Sequence, residues 1–172
     1  MDATTRRNTI LKSLGATPQS ATALAKALGV SRQVIVGDIA LLRAQGQDII
    51  ATARGYIVPN FAQDNLYIGK VACCHDASAT KAELYTMVDL GATVINVMVE
   101  HEIYGEIAGQ LNIKTREDVE DFIERVKPDH VKLLSDLKAG VHIHTIACRD
   151  SGHFAQVQGA LEQGGFLFEN KC

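Results

Sequence analysis

Three short helical patterns open the chain. Ile10, Leu11 and Leu14 form the apolar face of the first, with Thr4 or Thr5 expected as its cap and Gly15 as its stop. The second carries Leu24, Ala27 and Leu28 between a Ser20 cap and a Gly29 stop. The third begins at Ser31, buries a stripe of Ile35, Ile39 and Leu42, and ends at Gly46. Two short helices, a turn holding Gly29 and a capped helix make a helix-turn-helix pattern. Asp48–Ala51 and Gly55–Val58 then alternate as two small strands around Thr52-Ala53-Arg54, a winged hairpin. The polar stretch Pro59–Asn65 breaks the periodicity, and it places a domain boundary between segments 1–60 and 66–172.

The pattern then changes. Leu66–Cys74 reads as a strand with His75 at its end, and Asp76 or Ser78 caps a helix bearing Leu84, Met87 and Val88. Thr93–Val99 is a strand with Val94, Asn96 and Met98 on one face and Ile95, Val97 and Val99 on the other. Glu100-His101-Glu102 reads as a break, after which Ile103–Ile107 is a third strand. Thr115 caps a helix with the stripe Val119, Phe122, Ile123 and Val126, which Pro128 ends. Val141–Cys148 alternates as a fourth strand. A helix with Phe154, Val157 and Leu161 follows, then a stop at Gly164-Gly165 and a last strand, Phe166–Phe168. This order predicts an α+β domain with a mostly antiparallel sheet and helices on one side.

Charge sharpens the division. The 172-residue chain has a net charge of -3. Segment 1–60 carries seven Lys/Arg against three Asp, a balance of +4, and the remainder carries -7. The first segment suits a polyanion and the second is repelled by one. In a helix-turn-helix the third helix enters the major groove by its N-terminal end. Ser31, Arg32, Gln33, Val36 and Gly37 are the expected DNA-facing residues, with Arg54 at the wing tip. Gln33 suits an adenine edge, and Arg32 suits guanine or a phosphate. Double-stranded DNA is therefore the expected partner.

A hydrophobic fraction of 47% excludes a disordered chain. No apolar run reaches the roughly 20 residues of a membrane span, and the first residues lack a signal-peptide core. The expectation is a cytoplasmic protein with no membrane association. Cys73, Cys74, Cys148 and Cys172 form no Cys-x-x-Cys pair, so each is expected to be a small buried hydrophobe, with Cys73 a reserve ligand.

Candidate chemistry centres on the histidines. His142 and His144 stand two apart in a strand and project from one face, where two imidazoles can share a metal ion. His75 ends a strand, and Glu83 lies eight residues on, within reach of it. Three imidazoles and a carboxylate suit zinc, nickel, iron or copper, and suit magnesium and calcium poorly. Exposed or hydrogen-bonded strand histidines remain the alternative on spacing alone. His101, beside Tyr104 and Gly105, is either a pocket residue or a solvated turn histidine; His130 and His153 read as surface residues. No Ser-His-Asp set or phosphate-cradling glycine loop is visible. The only obvious carboxylate for a metal-assisted hydrolase, Glu83, is already used as a ligand, so an enzyme is not expected.

Three blocks carry a resemblance: His75 with Glu83, Glu100-His101-Glu102-Ile103-Tyr104-Gly105-Glu106, and Gly140-Val141-His142-Ile143-His144-Thr145-Ile146. With Leu28-Gly29-Val30-Ser31-Arg32-Gln33 and Ala51-Thr52-Ala53-Arg54-Gly55-Tyr56, the chain resembles the niacin-responsive repressor family of NAD biosynthesis over nearly its whole length. The resemblance implies an N-terminal winged helix-turn-helix and a C-terminal 3H domain with a phosphocarrier-like fold. It implies a divalent transition metal, nickel or zinc with iron also in range, on His75, Glu83, His142 and His144. It also implies nicotinic acid as co-repressor, with His101 and Tyr104 in the effector block. Arg149 or Lys132 can hold the acid's carboxylate through charge. A homodimer reading a pseudo-palindrome is expected. The alternative is a metalloregulator in which the metal itself is the signal.

Overall fold

The computed structural model describes residues 2–59, 65–127 and 131–168. The chain divides into two compact units, residues 1–64 and 65–172.

The first unit holds α1 (Ala3–Ser13), α2 (Ala21–Leu28) and α3 (Arg32–Ala44), then β1 (Ile50–Thr52) antiparallel to β2 (Gly55–Ile57). Asp2 caps α1 by accepting from the N–H groups of Thr4 and Thr5, so the expected threonine cap is corrected: a carboxylate one position earlier reaches both amides. Ser20 and Ser31 cap α2 and α3, and Gly29 closes α2 at φ 64, the left-handed conformation a C-cap glycine adopts without strain. Ile10, Leu24, Ile35, Ile39 and Leu42 form the core. Two of the basic residues are used internally: Arg6 and Arg7 of α1 lie 2.6 and 3.5 Å from the buried Asp38 carboxylate on α3.

The second unit is a four-stranded sheet in the order β3-β6-β4-β5, antiparallel at every pairing. Its strands are β3 (Tyr67–Cys74), β4 (Thr93–His101), β5 (Gly105–Ile113) and β6 (Val141–Cys148). Helices α4 (Thr80–Asp89), α5 (Arg116–Val126) and α6 (Ser151–Gln163) pack into one core with them: Leu84 and Met87 from α4, Val119 from α5, Val157 and Leu161 from α6. The mixed α+β class read from the sequence is the class observed.

Five details differ from the expectation. Asp76 caps a short 3₁₀ turn, Ala77–Ala79, that runs into α4. The break expected at Glu100-His101-Glu102 is smaller and later: β4 continues through His101, three residues turn, and β5 begins at Gly105. Phe166–Phe168 makes no full strand; Leu167 forms a single bridge to Cys73, while Phe168 N–H donates to Ala72 O. Strict alternation fails in β4, where a bulge lies between Val94 and Asn96. One extra residue there puts Val94, opposite Ile146, and Val97, opposite His144, on the same face. Cys74 is disulfide-bonded, which corrects its reading as a plain core residue; Cys73 and Cys148 are free and buried. Pro128, His130, Cys172 and most of the expected boundary stretch lie outside the described residues.

Candidate metal centre

Three elements bring the four residues together. His142 and His144 share the inward face of β6. His75 follows β3, whose Cys73 pairs with His142 across the ladder. Glu83 sits on the first turn of α4 and is completely buried. The Nε2 atoms of His75, His142 and His144 lie 2.9, 3.2 and 3.4 Å from the Glu83 carboxylate oxygens. The rings meet edge-on, at 4.9 Å between His75 and His142 and 4.8 Å between His142 and His144.

The other ring nitrogens explain this orientation. Nδ1–H of His75 donates to Asp76 O at 2.8 Å, that of His142 to Gly140 O at 2.8 Å, and that of His144 to Asn96 O at 2.9 Å. A carbonyl only accepts, so each Nδ1 carries the proton. In the neutral imidazoles each Nε2 then offers a lone pair to the interior. The β4 bulge at Asn96 supplies the last of these acceptors, and the Asn96 side chain accepts from Thr145 N–H beside it.

Three nitrogen lone pairs and a carboxylate facing one another repel unless a cation sits among them. His75 Nε2 and Glu83 Oε2 are buried with no hydrogen-bond partner among the described residues, despite their 2.9 Å separation. Two donors each about 2.1 Å from a shared ion stand about 3.0 Å apart at a right angle and about 3.4 Å apart at a tetrahedral one. The His142 and His144 separations fall in that range, and the 2.9 Å of His75 lies just below it. Burial opposes the Glu83 charge, but when the imidazoles are protonated instead of metal-bound their charge, that of His144 first, outweighs it and holds the carboxyl well below its usual range. Burial likewise opposes a charged His75, and the Glu83 carboxylate 2.9 Å from its Nε2 outweighs it, raising that imidazole above its ordinary value. The residues fit a divalent transition ion, and the nitrogen-rich set disfavours magnesium or calcium.

A pocket opens onto this cluster. It is a small open cleft with a cavity volume of about 30 Å³, with Glu83, His142 and His144 along one side and Leu84, Phe122 and Leu134 among its apolar walls. Thr80 and Ser135 also line it. Thr80 Oγ1 is buried without a hydrogen-bond partner among the described residues. Apolar walls with a few unsatisfied polar groups are the make-up of a small-molecule site.

The expected effector residues do not gather there. Nδ1 of His101 accepts from Ile103 and Tyr104 N–H, at 3.2 and 3.4 Å, and so closes the β4–β5 turn; Tyr104 is 74% exposed beside it. Arg149 follows the far end of β6, seven residues or about 23 Å of strand from His142, and pairs with Asp150 at 3.2 Å. Lys132 is exposed, next to the pocket-lining Leu133. His153, expected at the surface, is buried: Nδ1 accepts from Arg149 N–H and Nε2–H donates to Leu90 O. Thr80, Ser135, Asn96 and Gly140 escaped the sequence reading. Two act through backbone carbonyls, which residue type does not announce, and only Gly140 carried a signal, a glycine just before the His-x-His strand.

On the first unit, Ser31 Oγ accepts from Val34 N–H at 3.3 Å. Arg32, Gln33 and Gly37 are exposed, while Val36 is half-buried against the core and offers less to a groove than expected. Arg54 is half-buried in the wing turn, where its N–H donates to Thr52 Oγ1. A Cβ at Gly37 meets nothing within 4 Å. Gly37→Ala therefore stabilises the first unit by about 1 kcal/mol, measurable by thermal melting. If the glycine serves close approach to DNA, the same variant weakens operator binding.

Comparison with known proteins agrees with both units. A helix-turn-helix domain family matches residues 6–57, and the 3H domain family matches residues 68–170. The chain is 39% identical over 149 residues to the transcription repressor NadR of Bacillus subtilis, covering 86% of this chain and 83% of that protein. It is 38% identical over 152 residues to the probable transcription repressor NiaR of Thermotoga maritima, covering 88% and 86%. No helix among the described residues is long and apolar enough to cross a membrane.

Proposed function

The chain belongs to the family of transcription repressors that join a helix-turn-helix to a 3H domain, and we propose that it represses genes of NAD biosynthesis or niacin uptake with nicotinic acid as co-repressor. The observation that carries this reading is the convergence of three Nε2 atoms and one carboxylate beside an apolar-walled pocket. His75, Glu83, His142 and His144 would hold a divalent transition ion, nickel or zinc by donor type. When bound, that ion supplies an open coordination position for a ligand carboxylate or pyridine nitrogen. Leu84, Phe122 and Leu134 would pack against the ring, and Thr80 Oγ1 would donate to the carboxylate. Arg32 and Gln33 would read the operator, most simply as a homodimer on a pseudo-palindrome.

Electrostatics makes the acid dependent on the metal. An acid entering beside Glu83 places two carboxylates together in a buried site, and a divalent cation offsets that repulsion. Nicotinamide, being neutral, escapes this constraint. The acid acts as co-repressor only by binding the DNA-competent state more tightly than the other. A tenfold gain in DNA affinity corresponds to about 1.4 kcal/mol of coupling, and DNA then tightens acid binding by the same factor.

The test is binding to a promoter fragment of an NAD-synthesis or niacin-uptake gene at fixed salt, with and without nicotinic acid. Tighter binding with the acid, lost in the metal-stripped protein, is the expected result. A response to metal alone, indifferent to the acid, replaces this reading with a metalloregulator.

A further inference from the structure

We propose that Cys73 is a fifth donor to the ion held by His75, Glu83, His142 and His144, giving the centre one sulfur ligand. The inference rests on the metal-site reading above and adds a residue to it.

Cys73 is completely buried on β3, directly opposite His142 in the antiparallel register and two residues before His75. Residues two apart in a strand share a face, so its side chain points to the side from which the imidazoles project. Its sulfur, a Glu83 oxygen and a His142 nitrogen all lie within 4.8 Å of one another. Donors about 2.3 and 2.1 Å from one ion stand about 3.1 Å apart at a right angle and about 3.6 Å apart at a tetrahedral one, so a side-chain shift of at most about 1.2 Å brings the sulfur within reach. Glu83 Oε2, fully buried and without a hydrogen-bond partner among the described residues, marks the place the ion would fill.

Cys148 shows that the position matters. It too is free, buried and on the inward face of β6, but it lies six residues, about 20 Å of strand, beyond His142. In the metal-free chain, burial and the nearby Glu83 charge push the Cys73 thiol up, so it keeps its proton. Coordination to a divalent ion reverses this: the sulfur–metal bond forms as the thiol proton leaves to solvent. A thiolate among imidazoles also draws the centre towards soft, thiophilic ions.

The test is the absorption spectrum of the full chain loaded with cobalt(II). A near-ultraviolet sulfur-to-cobalt charge-transfer band is expected beside the visible ligand-field bands. Cys73→Ser and Cys73→Ala should lose the near-ultraviolet band and keep the visible ones, with zinc affinity falling roughly tenfold or more. Cys148→Ala should leave both unchanged. Visible bands without charge transfer in the unmodified protein, or a charge-transfer band that survives in Cys73→Ser, overturn the Cys73 assignment and leave the four-residue centre standing. Failure of the unmodified chain to take up cobalt, zinc or nickel overturns both. If a variant fails to fold, the unmodified protein still decides: visible bands without charge transfer overturn the Cys73 assignment, and no metal uptake overturns both.

Discussion

Glu83→Gln lowers the affinity for zinc or nickel by more than about 100-fold while the chain still folds. Changing a residue that only orients a metal ligand typically costs about 10- to 100-fold, so losing the carboxylate donor that faces His75, His142 and His144 should cost more. The amide keeps the shape of the carboxylate and relieves the burial of a charge, so the metal-free protein changes by only about 1 kcal/mol. Thermal shift separates the two effects. At a metal concentration that stabilises the unmodified chain by about 2.7 kcal/mol, the variant gains about 0.4 kcal/mol or less. An undiminished metal-induced shift would remove Glu83 from the centre.

Gly140→Ala is the most damaging small substitution expected at the site. Gly140 has φ 92, and a Cβ there would lie 2.4 Å from His75 O. Its carbonyl also accepts from His142 Nδ1–H at 2.8 Å and from His75 N–H at 3.4 Å. One residue thus sets the close approach of two histidine-bearing segments. The variant must strain the backbone and push β6 away from the end of β3, costing on the order of 2 kcal/mol or more. Metal affinity falls with it, because donors displaced by even half an ångström no longer converge. Denaturant unfolding of the metal-free protein measures the first loss, and metal titration the second. A variant as stable as the unmodified chain would contradict the approach seen between Gly140 and His75.

Much of this was legible in the chain, for physical reasons. Ser20, Gly29 and Ser31 cap and stop helices through local chemistry that residue type reveals. The period-two pattern of Val141–Cys148 is enough to place His142 and His144 on one face. The β4 bulge was not legible, because nothing in Thr93–Val99 marks the extra residue that moves Val97 to the face of Val94. The same bulge presents the Asn96 carbonyl to His144, a contact made by backbone alone. Arg149 was misplaced for a different reason: its charge suited an acid, but position along β6 set it a strand's length from the histidines. His153 was misjudged because polar neighbours in sequence say little about Leu90, whose carbonyl fixes its ring.

The central claim is that nicotinic acid binds at the His75–Glu83–His142–His144 centre through a bound metal. Calorimetric titration of nicotinic acid into the metal-loaded and metal-stripped protein tests it most directly, with nicotinamide as the neutral comparison. The account predicts heat of binding from the acid in the loaded protein alone, and none when Glu83→Gln prevents loading. Equal binding of the acid to loaded and stripped protein would contradict it.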